Sequence, residues 1–328
     1  MAGLLEKDQV GKREDLADII AVAEVADFPF TSMLRKGKEL GNTLLSWQAD
    51  AYATPNTSGK IDGKDVTDFE NPAENRGLLR TYTQMWERTA KVSTLSQKSD
   101  VAGIGKGKEM AHGVAKKLVE IKKDIEATFL GGNECQADDG TVPYLTRGLD
   151  VWIQSTAQSL YPVPEAFRPT SAQIDTTACA SLTETNVQTV LKAAFANKCG
   201  VQDLVLFCGV DLRRAFTDFT RTNTAGSGTA VKVRSFNVDI DAKTISATTA
   251  VFEGDFGTVK LIPDIYVGGA TADVDRGYGV PMKMAEMRWT FMPEVKPLED
   301  QGGGPRSIIQ CAGALVVLNP QGCFKFKP

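Results

Sequence analysis

The stretch GKGKEMAHGVAKKLVEIKKDIEATFLGG, Gly105 to Gly132, decides how the rest of the chain is read. Met110, Val114, Leu118, Ile121, Ile125 and Phe129 recur every three or four residues, which sets them on one face of an α-helix. Ala111 and Ala115 widen that stripe. Lys116, Lys117, Lys122, Lys123, Asp124 and Glu126 fall on the other side. There, Lys116 with Glu120 and Lys122 with Glu126 are opposite-charge pairs one turn apart, each worth a few tenths of a kcal/mol. Gly131 and Gly132 end the helix. About 24 helical residues would run roughly 36 Å, well beyond an average globular helix. Such a helix is either a long core element or a spine on which separate lobes hang.

The 328 residues allow one large fold or two lobes. A net charge of −4 argues against a strong nucleic-acid binder, while local contact with a packaged polyanion stays open. With one histidine, His112, there is little material for His-rich metal sites or a Ser-His-Asp triad. Cys135, Cys179, Cys199, Cys208, Cys311 and Cys323 include no CxxC pair, so a reducing assembly environment is expected, with no disulfide framework. Met1 to Val10 lacks an apolar run, and no signal peptide is expected. Nothing approaches 18 consecutive apolar residues, so no membrane-spanning segment is expected either.

Working outward from the helix, Leu79 to Leu95 alternates with period two. Tyr82, Gln84, Trp86, Arg88, Ala90 and Val92 share one face of a long strand that needs a covering neighbour. Before it, NTLLSWQAD (residues 42–50) reads as a strand. Ala51 to Arg80 between them is polar, with Pro55, Gly59, Gly63, Pro72 and Gly77; a connection this long points to an extended hairpin that finds partners outside its own subunit, or to a lid. Residues 1–30 read as a terminal arm, with a short helix over Asp15 to Val25.

After the helix, Asn133 to Ala180 shows no clear period and reads as loops with short elements. Residues 181–219 form an α/β piece. Ser181 with Glu184, or Thr185 with Gln188, fits a capping box, and Thr183 is another N-cap candidate. Asp203 to Cys208 is a strand buried on both faces. Leu212, Phe216 and Phe219 line a second helix, with Arg213 and Arg214 on its wet side. Phe236, Val238 and Ile240 alternate; Glu253 to Gly257 is a tight turn leading to Val259 and Leu261. Lys283, Ala285, Met287, Trp289 and Phe291 form another alternating face; Gln301 to Pro305 is a glycine-rich hinge; Ser307 to Leu318 is the last long strand; Lys325 and Lys327 sit in a short basic tail.

No catalytic constellation emerges. Asp138 with Asp139, and Asp273 with Asp275, read as solvated turns. Cys199 and Cys208 read as inert buried thiols. The GSG within Thr224 to Thr229 lacks the Lys-Ser/Thr of a phosphate-binding loop. Lys106, Lys108, Lys116 and Lys117 form a solvated face or one that meets packaged nucleic acid.

This order of parts resembles the major capsid proteins of tailed bacteriophages, a shell fold shared with encapsulins and herpesvirus capsid floor domains. The strings YTQMWERTAKVS, EMAHGVAKKLVEIKKDIEATFL and EGDFGTVKLIP (253–263), with the LTE-helix-strand-helix pattern of Leu182 to Phe219, carry the resemblance, which covers most of residues 15–318. It implies an α+β fold: an N-terminal arm (1–30), the start of a peripheral domain (31–50), an extended β-hairpin loop (51–80), a peripheral domain (81–180) with its spine helix at 106–130, an axial domain (181–262), and returning strands (263–328). The implied role is the icosahedral head shell, built from hexamers and pentamers of this chain, without cofactors and without catalysis. The implied partners are a portal protein, a separate scaffolding protein, a decoration protein and packaged double-stranded DNA, in a particle assembled in the host cytoplasm. Lys60, Lys64, Tyr82, Trp86 and Arg88 are the candidate assembly contacts; nothing in the sequence pairs Lys60 or Lys64 with a crosslinking Asn or Asp. The competing readings are an encapsulin-type compartment, a soluble hydrolase and a tail or receptor-binding protein.

Overall fold

The computed structural model describes residues 27–67, 69–197, 204–221, 250–270 and 275–327. The expected helix over Asp15 to Val25, the GSG loop, the Phe236–Ile240 alternation, Cys199 and Asp273 lie outside them. In chain order the helices are α1 (Pro29–Met33), α2 (Thr94–Lys98), α3 (Glu109–Phe129), α4 (Leu149–Trp152), α5 (Glu184–Ala196) and α6 (Val210–Arg221). The strands are β1 (Arg35–Lys36), β2 (Leu44–Asp50), β3 (Arg76–Tyr82), β4 (Gln84–Lys91), β5 (Ile174–Asp175), β6 (Leu204–Cys208), β7 (Val251–Gly254), β8 (Gly257–Pro263), β9 (Gly277–Pro281), β10 (Ala285–Leu298), β11 (Arg306–Val317) and β12 (Phe324–Phe326). They form a six-stranded sheet of order β5-β12-β9-β6-β8-β7, a four-stranded sheet β1-β10-β11-β4, and the hairpin β2-β3.

The spine helix begins at Glu109, three residues later than expected, because Gly105 and Gly107 have φ near +80° and cannot join it. The Gln97 side chain finishes that end: its Oε1 accepts from Met110 N at 3.1 Å. The apolar stripe is fully buried only in its second half, at Ile121, Ile125 and Phe129, each worth about 1.5–3 kcal/mol of burial. Ala111 and Ala115 are exposed and do not extend the stripe. The charge pairing also differs from the expected one. Lys117 bonds Glu120 at 2.7 Å, three residues on, and Glu126 lies fully buried instead of pairing with Lys122 on a wet face.

The chain divides into two compact units. Among the described residues, the first holds Asp27, 87–121 and 294–310. In it the glycine-rich stretch after β10 is a hairpin turn rather than a free hinge. The Asp300 carboxylate accepts from Gly302 N and Gly304 N at 2.9 and 3.0 Å. Gly304 has φ +101°, and a Cβ there would run into Val92 O and sit 2.7 Å from Thr94 N.

The second unit holds 28–86, 122–293 and 311–327 of the described residues. Its six-stranded sheet has β6 at the centre, all five residues buried, parallel to β8 and antiparallel to β9. Thr183 is the residue that caps α5, accepting from Asn186 N. Val187, Val190, Leu191 and Ala194 of α5 and Leu212 and Phe216 of α6 enclose the core with Phe324 and Phe326 of β12. Arg213 departs from the expected wet side, donating through Nη1 to Leu261 O at 2.9 Å. The expected basic tail is instead a buried strand. Lys325, 3% exposed, donates to Asp150 Oδ1 at 3.0 Å, and Lys327 to Asp150 Oδ2 at 2.9 Å. Among the described residues, Cys135, Cys179, Cys208, Cys311 and Cys323 form no disulfide, and burial pushes the Cys208 thiol up to about 12.

Candidate assembly surface

The long alternating run 79–95 is two strands, ending at Lys91, followed by the start of α2 at Thr94. It breaks at Thr83, because β3 pairs with β2 while β4 belongs to the four-stranded sheet. Thr83 N bonds Thr43 O at the break. The β2-β3 hairpin is registered by seven pairs, from Leu44↔Tyr82 to Asp50↔Arg76. Its base is fixed to the second unit: Trp47 donates to Leu318 O at 3.2 Å, and Leu79 is buried. Beyond Asp50 the chain leaves the body. Every described residue from Tyr52 to Asn75 is exposed. The limb carries apolar side chains that its own subunit does not cover: Tyr52 is 101% and Phe69 88% exposed, with Ile61 and Val66 similar. Residues 51–75 connect β2 to β3, and residues 76–80 lie in β3.

Lys60 and Lys64 stand exposed on this limb, as an intermolecular contact requires. Tyr82 and Trp86 are not available in the same way. Tyr82 is 9% exposed and its hydroxyl lies 3.1 Å from that of Tyr161. That bond and burial push it up to about 12. Trp86 is buried, donates to Thr128 Oγ1 at 3.1 Å and meets the Phe129 ring edge-on at 5.8 Å. The two lie on different strands: in β4 Trp86 shares the buried even-numbered face with Ala90, whereas in β3 the covered residues are the odd-numbered Gly77, Leu79 and Thr81, with Tyr82 buried at the strand's end. Arg88, on the same β4 face as Trp86, is half-exposed and reaches Glu120 at 3.9 Å.

Sequence reasoning passed over Arg147. It is fully buried, stacked on Trp152 at 4.7 Å, bound to Glu134 at 2.8 Å and to Tyr161 O at 3.2 Å. A lone Arg in an aperiodic stretch carries no local signal of this. It ties the 133–161 loops to the body beside the hairpin base. Asp138 and Asp139 are an exposed turn as expected, their carboxylates accepting from Gly140, Thr141 and Val142 N–H groups. Those backbone bonds hold Asp139 below the ordinary carboxylate value. No described helix is long and apolar enough to cross a membrane.

Residues 5–328, which carry the hairpin, the long helix and the six-stranded lobe, match the family described as SU10 major capsid protein. The chain belongs to that family. It is a major capsid protein, a structural component of the virion shell. The major capsid protein of Escherichia phage Phieco32 is 31% identical over 141 residues. That alignment spans 43% of this chain and 38% of the relative's length. Among solved structures, the capsid of cyanophage A-1(L) superimposes with a TM-score of 0.60 at 12% identity, covering 98% of each chain. The encapsulin SrpI from Synechococcus elongatus PCC 7942 gives 0.54 at 10% identity, covering 94% of this chain and 90% of that one. The fold is thus common to phage shells and encapsulins, and the family match separates them.

Proposed function

We propose that this major capsid protein closes the icosahedral head of a tailed bacteriophage as hexamers and pentamers, with the limb at 51–75 laid on an adjacent copy. The observation that carries this reading is the limb itself. It is a run of exposed residues with bare Tyr52, Ile61, Val66 and Phe69, held at its root by a seven-pair hairpin. Exposed apolar groups on a fixed stalk gain burial only from another molecule. A neighbour contacted in the same way by every copy gives ring closure, since one surface meets a different surface of the next chain. Lys60 and Lys64 would make the polar contacts of that interface, and Arg88 a further one. On the same reading the spine helix and flanking strands form the peripheral domain and residues 181–262 most of the axial domain.

The role is architectural, without a catalytic step or cofactor. Lys106, Lys108, Lys116 and Lys122 are exposed. They carry no ion pair among the described residues, and this supports loose contact with the phosphates of packaged double-stranded DNA. A portal protein, a separate scaffolding protein and a decoration protein complete the partners, with assembly in the host cytoplasm. Negative-stain microscopy of the purified full chain tests the proposal. Closed particles or six- and five-membered rings are expected. A monodisperse monomer that turns over a substrate would replace it with the hydrolase reading, and particles filled with a co-purifying enzyme with the encapsulin one.

A further inference from the structure

β10 runs for 14 residues, and its two ends differ. Its start has β11 on one side and β1 on the other. On the β1 side the register is Arg35↔Glu286 and Lys36↔Met287. Gly37 N then donates to Met287 O and Leu40 N to Trp289 O, both at 2.9 Å. Those two carbonyls belong to odd-numbered residues. The backbone groups of successive strand residues point to opposite edges, so the odd positions of β10 face the β1 side and the even positions face β11. Arg288 O agrees, since it lies 2.9 Å from where a Cβ on Gly313 of β11 would stand. Past Leu40 the chain leaves for β2, which pairs with β3 in another sheet. Beyond that point, from Met292 to Leu298, every residue of β10 is exposed. The sequence there is Met-Pro-Glu-Val-Lys-Pro-Leu. Pro293 and Pro297 are both odd-numbered. They share the outer edge, and of positions 293, 295 and 297 only Val295 has an N–H to present. A proline turned toward β11 would remove a ladder bond; turned outward it removes none and takes a donor off the edge.

We propose that Pro293 and Pro297 are specificity-determining residues of assembly: they close the outer edge of β10 to strand addition, so that another copy meets this edge through side chains and not through main-chain pairing. The rest of the stretch shows why a block is needed. Met292, Val295 and Leu298 are exposed apolar groups, and Glu294 pairs with Lys296 at 3.3 Å, so the two charges cancel. A long exposed edge with apolar side chains and no net charge recruits other chains. The wrong partner is at hand in every copy, because the described residues from Tyr52 to Asn75 are all exposed and extended segments of this kind add to open edges. With the N–H missing at 293 and 297, an added strand finds one donor where a regular edge offers three, and each proline ring stands in the path of its backbone. Discrimination between contacts is gained here by penalising the wrong one. The inference uses the shell role only for the crowding of copies, and it does not rest on where the limb docks.

The test is made on the full chain with Pro293→Thr and Pro297→Thr together, which return two outward N–H groups at exposed positions. The double variant should fold, with a Tm lowered by about 4 °C or less. It should form irregular aggregates that bind thioflavin T and show an intermolecular β-sheet infrared band, about tenfold or more faster than the wild type. The control is Glu294→Thr with Lys296→Thr. It adds the same two β-branched residues and leaves the net charge unchanged, but its N–H groups face β11, so it should aggregate at the wild-type rate. A wild-type rate in the proline double variant overturns the proposal, as does an equal rise in the control. If the double variant does not fold, Pro293→Thr and Pro297→Thr singly, each opening one donor, decide by the same comparison.

Discussion

Deleting residues 55–72 separates the fold of this subunit from its assembly. The connection between β2 and β3 runs from 51 to 75, 25 residues, of which 18 are removed and seven remain. The seven registered pairs of the hairpin, the Trp47 bond to Leu318 and the burial of Leu79 all lie outside the deletion. Every described residue removed is exposed, so almost no intramolecular burial is lost. Shortening a flexible closure from 25 to seven residues changes its entropy by (3/2)RT ln(25/7), about 1.1 kcal/mol in favour of the folded chain. For a chain of this size that is a rise in Tm of about 2 °C or less. Calorimetry should therefore report an unchanged or slightly raised transition. Sedimentation velocity and microscopy under conditions where the wild type forms particles should report only small species. Closed particles of normal size from the deleted chain would refute the assigned role of the limb. A Tm lowered by more than a few degrees would refute its independence from the body.

Further outcomes follow from the geometry. Asp150→Asn strips the counter-charge from buried Lys325 and should cost about 3–5 kcal/mol in denaturant unfolding at pH 7. Burial raises Asp150 but Lys325 and Lys327 outweigh it and hold the group below 3.8, so this stabilisation is present above that value and is lost as pH falls through the folded one; the variant should show a flatter acid limb. Gly304→Ala places a Cβ at φ +101° against the Val92 carbonyl and should destabilise the 294–310 hairpin by about 1–3 kcal/mol, read as faster hydrogen exchange there. Lys60→Ala with Lys64→Ala should leave the Tm within 1 °C or so while weakening particle formation, whereas Trp86→Ala should cost about 3–5 kcal/mol of folding stability.

The periodic elements were legible because their information is local. The 3.6-residue stripe of α3, the all-apolar β6, the stripe of α5 and the β7–β8 turn each follow from one continuous segment of about 20 residues or fewer, whereas the sequence leaves three candidate caps for α5 open. The long polar connection could be read as a limb because nothing in it could form a core. The sites that depend on distant partners were not legible. Glu126 reads as a wet-face residue until Phe30 and Thr31, 96 and 95 positions away, donate to it. Lys325 reads as a tail cation until Asp150, 175 positions earlier, turns it inward. Tyr82 and Trp86 share a period with Arg88, and period two does not say which face is covered by the same subunit and which by a neighbour.

The sequence by itself therefore determined the order and type of the main elements and the presence of an uncovered limb, since hydrophobic spacing and chain length act within a segment. Only the tertiary structure decided which charges are buried, where the alternating run divides between two sheets, and which aromatic residues are withdrawn from the surface. Those outcomes depend on desolvation and hydrogen bonding between segments far apart in the chain, and no local pattern encodes them.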